Sequence, residues 1–198
     1  MKKIFTKLLL FKKLLGIFFS RIINKIMFKN FAIKNFSKWF FLGLGIALII
    51  VFLDLLTKKI IFNLIDNYQL KNDYLEIKIL SFFSLVKVLN KGVSFGMFNQ
   101  IENSEIIFSI IQGSIGFILL FWLFQVKKPY LAIALGLVIG GAFGNTIDRI
   151  KNGAVADFLD FHIASYHWPA FNLADSAIFI GISILLFDEF ILNKNFKK

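Results

Sequence analysis

Two short polar islands interrupt otherwise apolar sequence: Val155-Ala156-Asp157-Phe158 and Phe171-Asn172-Leu173-Ala174-Asp175. Each sets a carboxylate at or near the rim of an expected membrane helix. An ionisable group is costly there and usually marks function. Asp157 and Asp175 stand 18 residues apart across one short connection, so they can meet and share a proton. Two carboxylates in contact cannot both ionise freely, and such a pair can activate water for hydrolysis.

Further candidates surround them. Asp54 and Lys58 are four apart, one above the other on a helix face. They form either an interfacial ion pair or a lining pair of an active site. Gly140-Gly141-Ala142-Phe143-Gly144-Asn145-Thr146-Ile147-Asp148-Arg149 closes another apolar run. Its small residues permit close helix approach. Packing alone needs no Asn145, Asp148 or Arg149, so a polar cluster shared between helices is expected. Asn172 and Asp175 have the spacing of a helix N-cap and its first-turn acid, a structural role that competes with a catalytic one. Asp160 rivals Asp157: on a helix the two share a face, on a strand they point oppositely.

His162 and His167 invite a metal reading, but their spacing is five, not the four of a helical metal pair, and the chain has no Cys. Structural or interfacial histidines are expected instead, with no metal. Asp188 and Glu189 are expected on a solvated inner rim. Neither a Gly-rich phosphate loop nor a serine nucleophile elbow is present.

The elements that must position these residues follow from composition. The chain of 198 residues is 58% hydrophobic with 27 Phe, and its mean hydropathy is +0.74. A soluble domain of this length cannot hide so much apolar surface. Spans of about 20 apolar residues fall at about 39–60, 105–126, 129–149 and 172–192. The fold class expected is a membrane all-α bundle of four transmembrane helices. Basic residues choose the cytoplasmic side: the N-terminal arm, Lys127-Lys128 and the tail at 193–198 share one face. Both termini are then cytoplasmic, and 61–104 and 150–171 lie outside. An outer β segment is expected at about 65–98. Within it Leu75–Asn90 reads as one or two strands of a small extracytoplasmic β-sheet, ending at an Asn90-Lys91-Gly92 turn.

Residues 1–38 hold ten Lys/Arg and no acid. The charges alternate with Leu, Ile and Phe, which suits an interfacial amphipathic helix on an anionic inner leaflet and not a nucleic-acid surface.

Together these blocks resemble lipoprotein signal peptidase, the bacterial signal peptidase II family. The matching residues are Asp54-x-x-x-Lys58, Asn90-Lys-Gly92-Val-Ser94-Phe95-Gly96, Gly144-Asn145-x-x-Asp148-Arg149, Val155-x-Asp157-Phe158 and Phe171-Asn172-x-Ala174-Asp175. Each block is weak alone; five in the family's order between four spans are specific. The resemblance covers about 39–192 and leaves the basic arm outside. It implies an aspartic peptidase in the bacterial cytoplasmic (inner) membrane, its active site near the outer face. Asp157 and Asp175 match the catalytic pair. Asp54, Lys58, Asn90, Gly92, Ser94, Gly141, Asn145, Asp148, Arg149, Val155, Asn172 and Ala174 match supporting or substrate-binding positions. One departure is Leu137, where a glycine is expected one turn before Gly141; a small shift in helix packing is expected there. The implied substrate is a diacylglyceryl-modified prolipoprotein, cut before its lipidated cysteine. No metal or cofactor is implied, and a monomer is expected. Two rivals stand beside this reading: a membrane module using the aspartates as a proton or cation site, and a metal-dependent hydrolase using His162 and His167.

Overall fold

The protein's structure, a computed structural model, describes residues 37–72, 76–92 and 104–192, with Gly16 and Ser20. The expected amphipathic arm lies almost wholly outside these residues, as do Ser94 and the tail. The described elements are α1 (Phe40–Asn72), β1 (Glu76–Leu80), β2 (Phe83–Asn90), α2 (Ser104–Leu123), α3 (Pro129–Asn152), β3 (Val155–Ile163), β4 (Tyr166–His167), α4 (Leu173–Phe187) and a π-helical turn, Asp188–Leu192.

Helix α3 is the centre, packing against α1, α2 and α4. Pro129 opens it, where a missing N–H costs nothing. Gly153 closes it at φ 69°, and its N–H bonds Arg149 O. Between these ends the glycines decide what can touch. A side chain at Gly140 would sit 2.7 Å from Ala47 O of α1, and one at Gly136 would strike Gly43 O. On another face, a side chain at Gly141 would strike Ala174 O of α4. Bare backbone therefore meets backbone on two sides of α3. Within lipid this packing, not the exclusion of water, holds helices together. Leu137, where glycine was expected, is only half-buried. Near that level the small residue comes from α4: a Cβ on Gly181 would lie 2.6 Å from Ala134 O.

Helices α1, α2 and α3 are each long and apolar enough to cross a membrane. Phe41, Phe52, Ile110, Phe117 and Phe179 are exposed on the outside of the bundle, where lipid would cover them. The fourth expected span has 15 α-helical residues continued by the π turn. At the end opposite the sheet, Asp188 and Glu189 are buried, not a solvated rim. Asp188 accepts hydrogen bonds from Lys128 Nζ at 2.8 Å and from the Tyr130 hydroxyl, which supply what water would have given.

The sheet is antiparallel, in the order β1-β2-β3-β4. Helix α1 runs on to Asn72, so residues 65–72, expected in the β segment, are helical. Half of the sheet comes from 155–167, a segment read only as a connection. β3 is hydrogen-bonded on both sides: Asn90 is register partner of Val155, and His162 of His167. A bulge interrupts β2 between Leu85 and Val88, across from Phe158 and next to the Val88–Asp157 pair; bulges redirect side chains next to sites.

Candidate active site

The site forms where the middle of α1, the C-terminal end of α3 and the N-terminal end of α4 meet the start of β3. The sequence of α4 builds one half. Asn172 is its N-cap: the side-chain oxygen accepts from Asp175 N at 2.9 Å, and Asp175 Oδ2 accepts from Asn172 N at 3.2 Å. This reciprocal capping box satisfies two donors a helix start leaves free. The capping reading therefore holds, yet it uses only part of each side chain. Asn172 Nδ2 still donates to Asp157 Oδ1 at 2.7 Å. Asp175 Oδ1 still accepts from Asn145 Nδ2 at 2.8 Å.

The two carboxylates are thus joined through two amides. Asn172 Nδ2 also donates to Asn145 Oδ1 at 3.1 Å, closing the chain Asp157–Asn172–Asn145–Asp175. From β2, Asn90 Nδ2 reaches the second oxygen, Asp157 Oδ2, at 3.1 Å. Asp157 is 2% exposed. Burial and then the neighbouring Asp175 charge push its carboxyl up to about 7, against the opposing hydrogen bonds from Asn90 and Asn172.

Beneath this lies a buried ionic layer. Lys58 Nζ contacts Asp54 Oδ2 at 2.7 Å, Asp148 Oδ2 at 2.9 Å and Asn145 Oδ1 at 2.9 Å. Lys58 and both carboxylates are buried. The expected i,i+4 pair exists, but it belongs to a three-charge cluster spanning α1 and α3. Asp54 Oδ1 accepts from Ala174 N at 3.0 Å, tying α1 to the first turn of α4. Asp148 Oδ2 accepts from Ala156 N at 3.1 Å, tying α3 to β3 one residue before Asp157. A Cβ on Gly144 would lie 2.6 Å from Asp54 Oδ2, so glycine is required for the cluster to close.

Arg149 stands apart from that cluster. It donates to Gly92 O at 2.9 Å and to Gln112 Oε1 at 2.8 Å, bracing the exit of β2 and helix α2. Gly92 N bonds Asn90 Oδ1 at 3.1 Å, which holds the turn that aims Asn90 at Asp157. Val155 and Ala174 are buried packing positions beside the pair. Sequence reasoning missed Gln112. Its signal was available: one amide inside an uncharged apolar run needs a reason.

Asp157 and Asp160 separate as a strand requires. Asp160 turns to His167 Nδ1 at 2.8 Å and to His162 Nδ1 at 3.2 Å, while Asp157 meets Asn172 and Asn90. All other expected site residues except Ser94 fall within this one assembly or brace it.

The profile of the family described as "Signal peptidase (SPase) II" matches residues 46–191. A lipoprotein signal peptidase of Syntrophotalea carbinolica is 42% identical over 144 residues, covering 71% of this chain and 86% of that protein. One from Polynucleobacter necessarius subsp. necessarius is 36% identical over 157 residues, covering 78% and 91%. One from Anaplasma phagocytophilum is 40% identical over 111 residues, covering 56% and 71%. A solved structure described as a bacterial membrane enzyme, determined by the in meso method at 2.3 Å, superposes with a TM-score of 0.65. It shares 25% identity and covers 83% of this chain and 96% of that one.

Proposed function

The chain belongs to the signal peptidase II family, and from that premise we propose that Asp157 and Asp175 are its catalytic pair. The protein is a membrane aspartic peptidase that removes signal peptides from prolipoproteins. One observation carries the residue assignment: Asn172 and Asn145 tie the two carboxylates into a single hydrogen-bonded unit. A buried acid that titrates near neutrality suits a group that must hold and then release a proton.

In this reading Asp157 is the partner that holds the shared proton. Asp175 carries the negative charge, facing the N-terminus of α4 and the N–H of Asn172. Asp175 takes a proton from water while Asp157 donates to the scissile carbonyl oxygen. The neutral gem-diol intermediate then collapses: one hydroxyl returns its proton to Asp157 as the carbonyl reforms, and the leaving nitrogen takes the proton held by Asp175. Asn172, Asn145 and Asn90 orient the carboxylates throughout. Lys58, Asp54 and Asp148 position the helices that carry them. Arg149 and Gly92 border the outer loop and meet the substrate peptide, and Ser94 is a further substrate-binding position by its match to the family's motif.

The substrate is a diacylglyceryl-modified precursor, cut before its lipidated cysteine, with its acyl chains in the bilayer. The protein lies in the bacterial cytoplasmic membrane with four spans, both termini cytoplasmic and the pair near the outer face. Three features support this arrangement: the sheet and the dyad lie at one end of the bundle, Lys127-Lys128 lie at the other, and the basic arm precedes α1. In this scheme that arm rests on anionic lipid.

Purified chain in detergent, given a lipidated precursor, should release the signal peptide, and Asp175→Asn should not. Full processing by a folded Asp175→Asn protein would overturn the assignment.

A further inference from the structure

Outside this site, three metal-ligating side chains meet at the far end of β3. The β3–β4 hairpin turns through Ala164-Ser165, with Ala164 at φ 53°, and sets His162 directly opposite His167. The five-residue spacing that misses a helical metal pair is the spacing a two-residue hairpin needs for a cross-strand pair. Asp160 lies two residues before His162 and so shares its face. The two imidazoles stack with centroids 4.8 Å apart. One carboxylate oxygen, Asp160 Oδ2, lies 2.8 Å from His167 Nδ1 and 3.2 Å from His162 Nδ1. One ligand atom from each residue fits within 4.8 Å of the others.

Two polar atoms here are unsatisfied. His162 Nδ1 is buried and has no hydrogen bond of acceptable geometry, despite its nearness to Asp160. Ser84, the register partner of Asp160 on β2, is wholly buried and its Oγ has no hydrogen-bond partner. Buried polar atoms in native proteins are nearly always satisfied. A nitrogen left bare beside a carboxylate and a second imidazole has an obvious occupant in a cation.

We propose that Asp160, His162 and His167 bind a divalent transition ion, zinc by ligand type, which staples the β3–β4 hairpin. Two imidazoles and one carboxylate suit zinc, with water as a fourth ligand. Bonds of about 2.1 Å in a tetrahedron separate ligand atoms by roughly 3.4 Å; the ligand atoms lie near that spacing, and binding turns the stacked imidazoles so that both Nδ1 lone pairs face the ion. Each neutral imidazole binds through the Nδ1 lone pair and carries its proton on Nε2. The ion does not enter the proteolytic scheme; its place is three residues along β3 from Asp157, holding the strand's outer end.

The chain makes the test clean, because these are its only two histidines and it has no cysteine. Full-length protein in detergent, freed of any histidine tag and stripped with chelator, is titrated with Zn2+ and separately with Co2+. We expect one ion per chain and the intense visible absorption of tetrahedral Co2+. His167→Gln should weaken binding at least about tenfold, and Asp157→Asn should leave it unchanged. X-ray absorption on zinc-loaded native chain, which needs no variant to fold, should show two imidazoles in the first coordination shell. An oxygen-only shell, loss of binding in Asp157→Asn, or no stoichiometric uptake by the native chain would each overturn the site.

Discussion

Replacing Asp157 by Asn keeps its shape and removes its proton. With the same change at Asp175, each variant should insert and fold yet lose about a thousandfold or more in turnover, read from precursor cleavage. The pH dependence carries a sign. Asp157 has its carboxyl raised to about 7 in the folded protein, so its proton leaves as pH rises through neutrality. Turnover should decline on the alkaline side with an apparent midpoint near 7, a property of the coupled pair. A rate still climbing through pH 9 would contradict the assignment of the proton. Stability follows the same direction. A raised carboxyl contributes most below its unfolded value near 4, and that contribution is lost between about pH 4 and 7. Asp157→Asn should therefore melt no lower than the native chain at pH 8, despite being inactive. Lys58 behaves differently: Lys58→Met strands Asp54 and Asp148 as buried acids and should cost about 3–5 kcal/mol, seen in thermal unfolding.

At the level of helices and strands, glycine sets the tolerances. Gly141→Val pushes α3 off α4 through Ala174 O, and Ala174 adjoins Asp175, so both melting temperature and cleavage should fall. Gly113→Ala is the contrast, since its Cβ would meet Thr146 at an ordinary 3.5 Å and should change neither. If both behaved alike in thermal and activity assays, close approach of α3 to α4 would not be what positions Asp175. Helices were legible because runs such as Ile106–Val126 can be nothing else in water or lipid. Asn172 and Asp175 were legible as a cap, and because a carboxylate and an amide each have two ends, the cap leaves one end of each for the polar cluster. The second half of the sheet was not legible. Val155–Ile163 alternates imperfectly, having both Asp157 and Phe158 buried, because β3 is covered on both faces near the bundle. The contact of Lys58 with Asp148 escaped as well. Local spacing offers Asp54 as its partner, and only the crossing of α1 with α3 brings a second acid.

The whole molecule has one polar end and one oily waist, and its orientation can be read directly. The absence of native cysteine allows single-cysteine labelling. Ser165→Cys, in the exposed hairpin turn, should react with an impermeant maleimide from outside the cell, and Lys127→Cys should not. Labelling at Lys127 from outside would invert the topology. The buried ionic layer has a further consequence for the life of the chain. Asp54 and Lys58 emerge from the ribosome early, Asn145 and Asp148 later, and Asp175 last. On the proposed assignment, a polypeptide caught halfway through biogenesis therefore owns no scissors: cutting power arrives only after the helix that carries Asp175 docks.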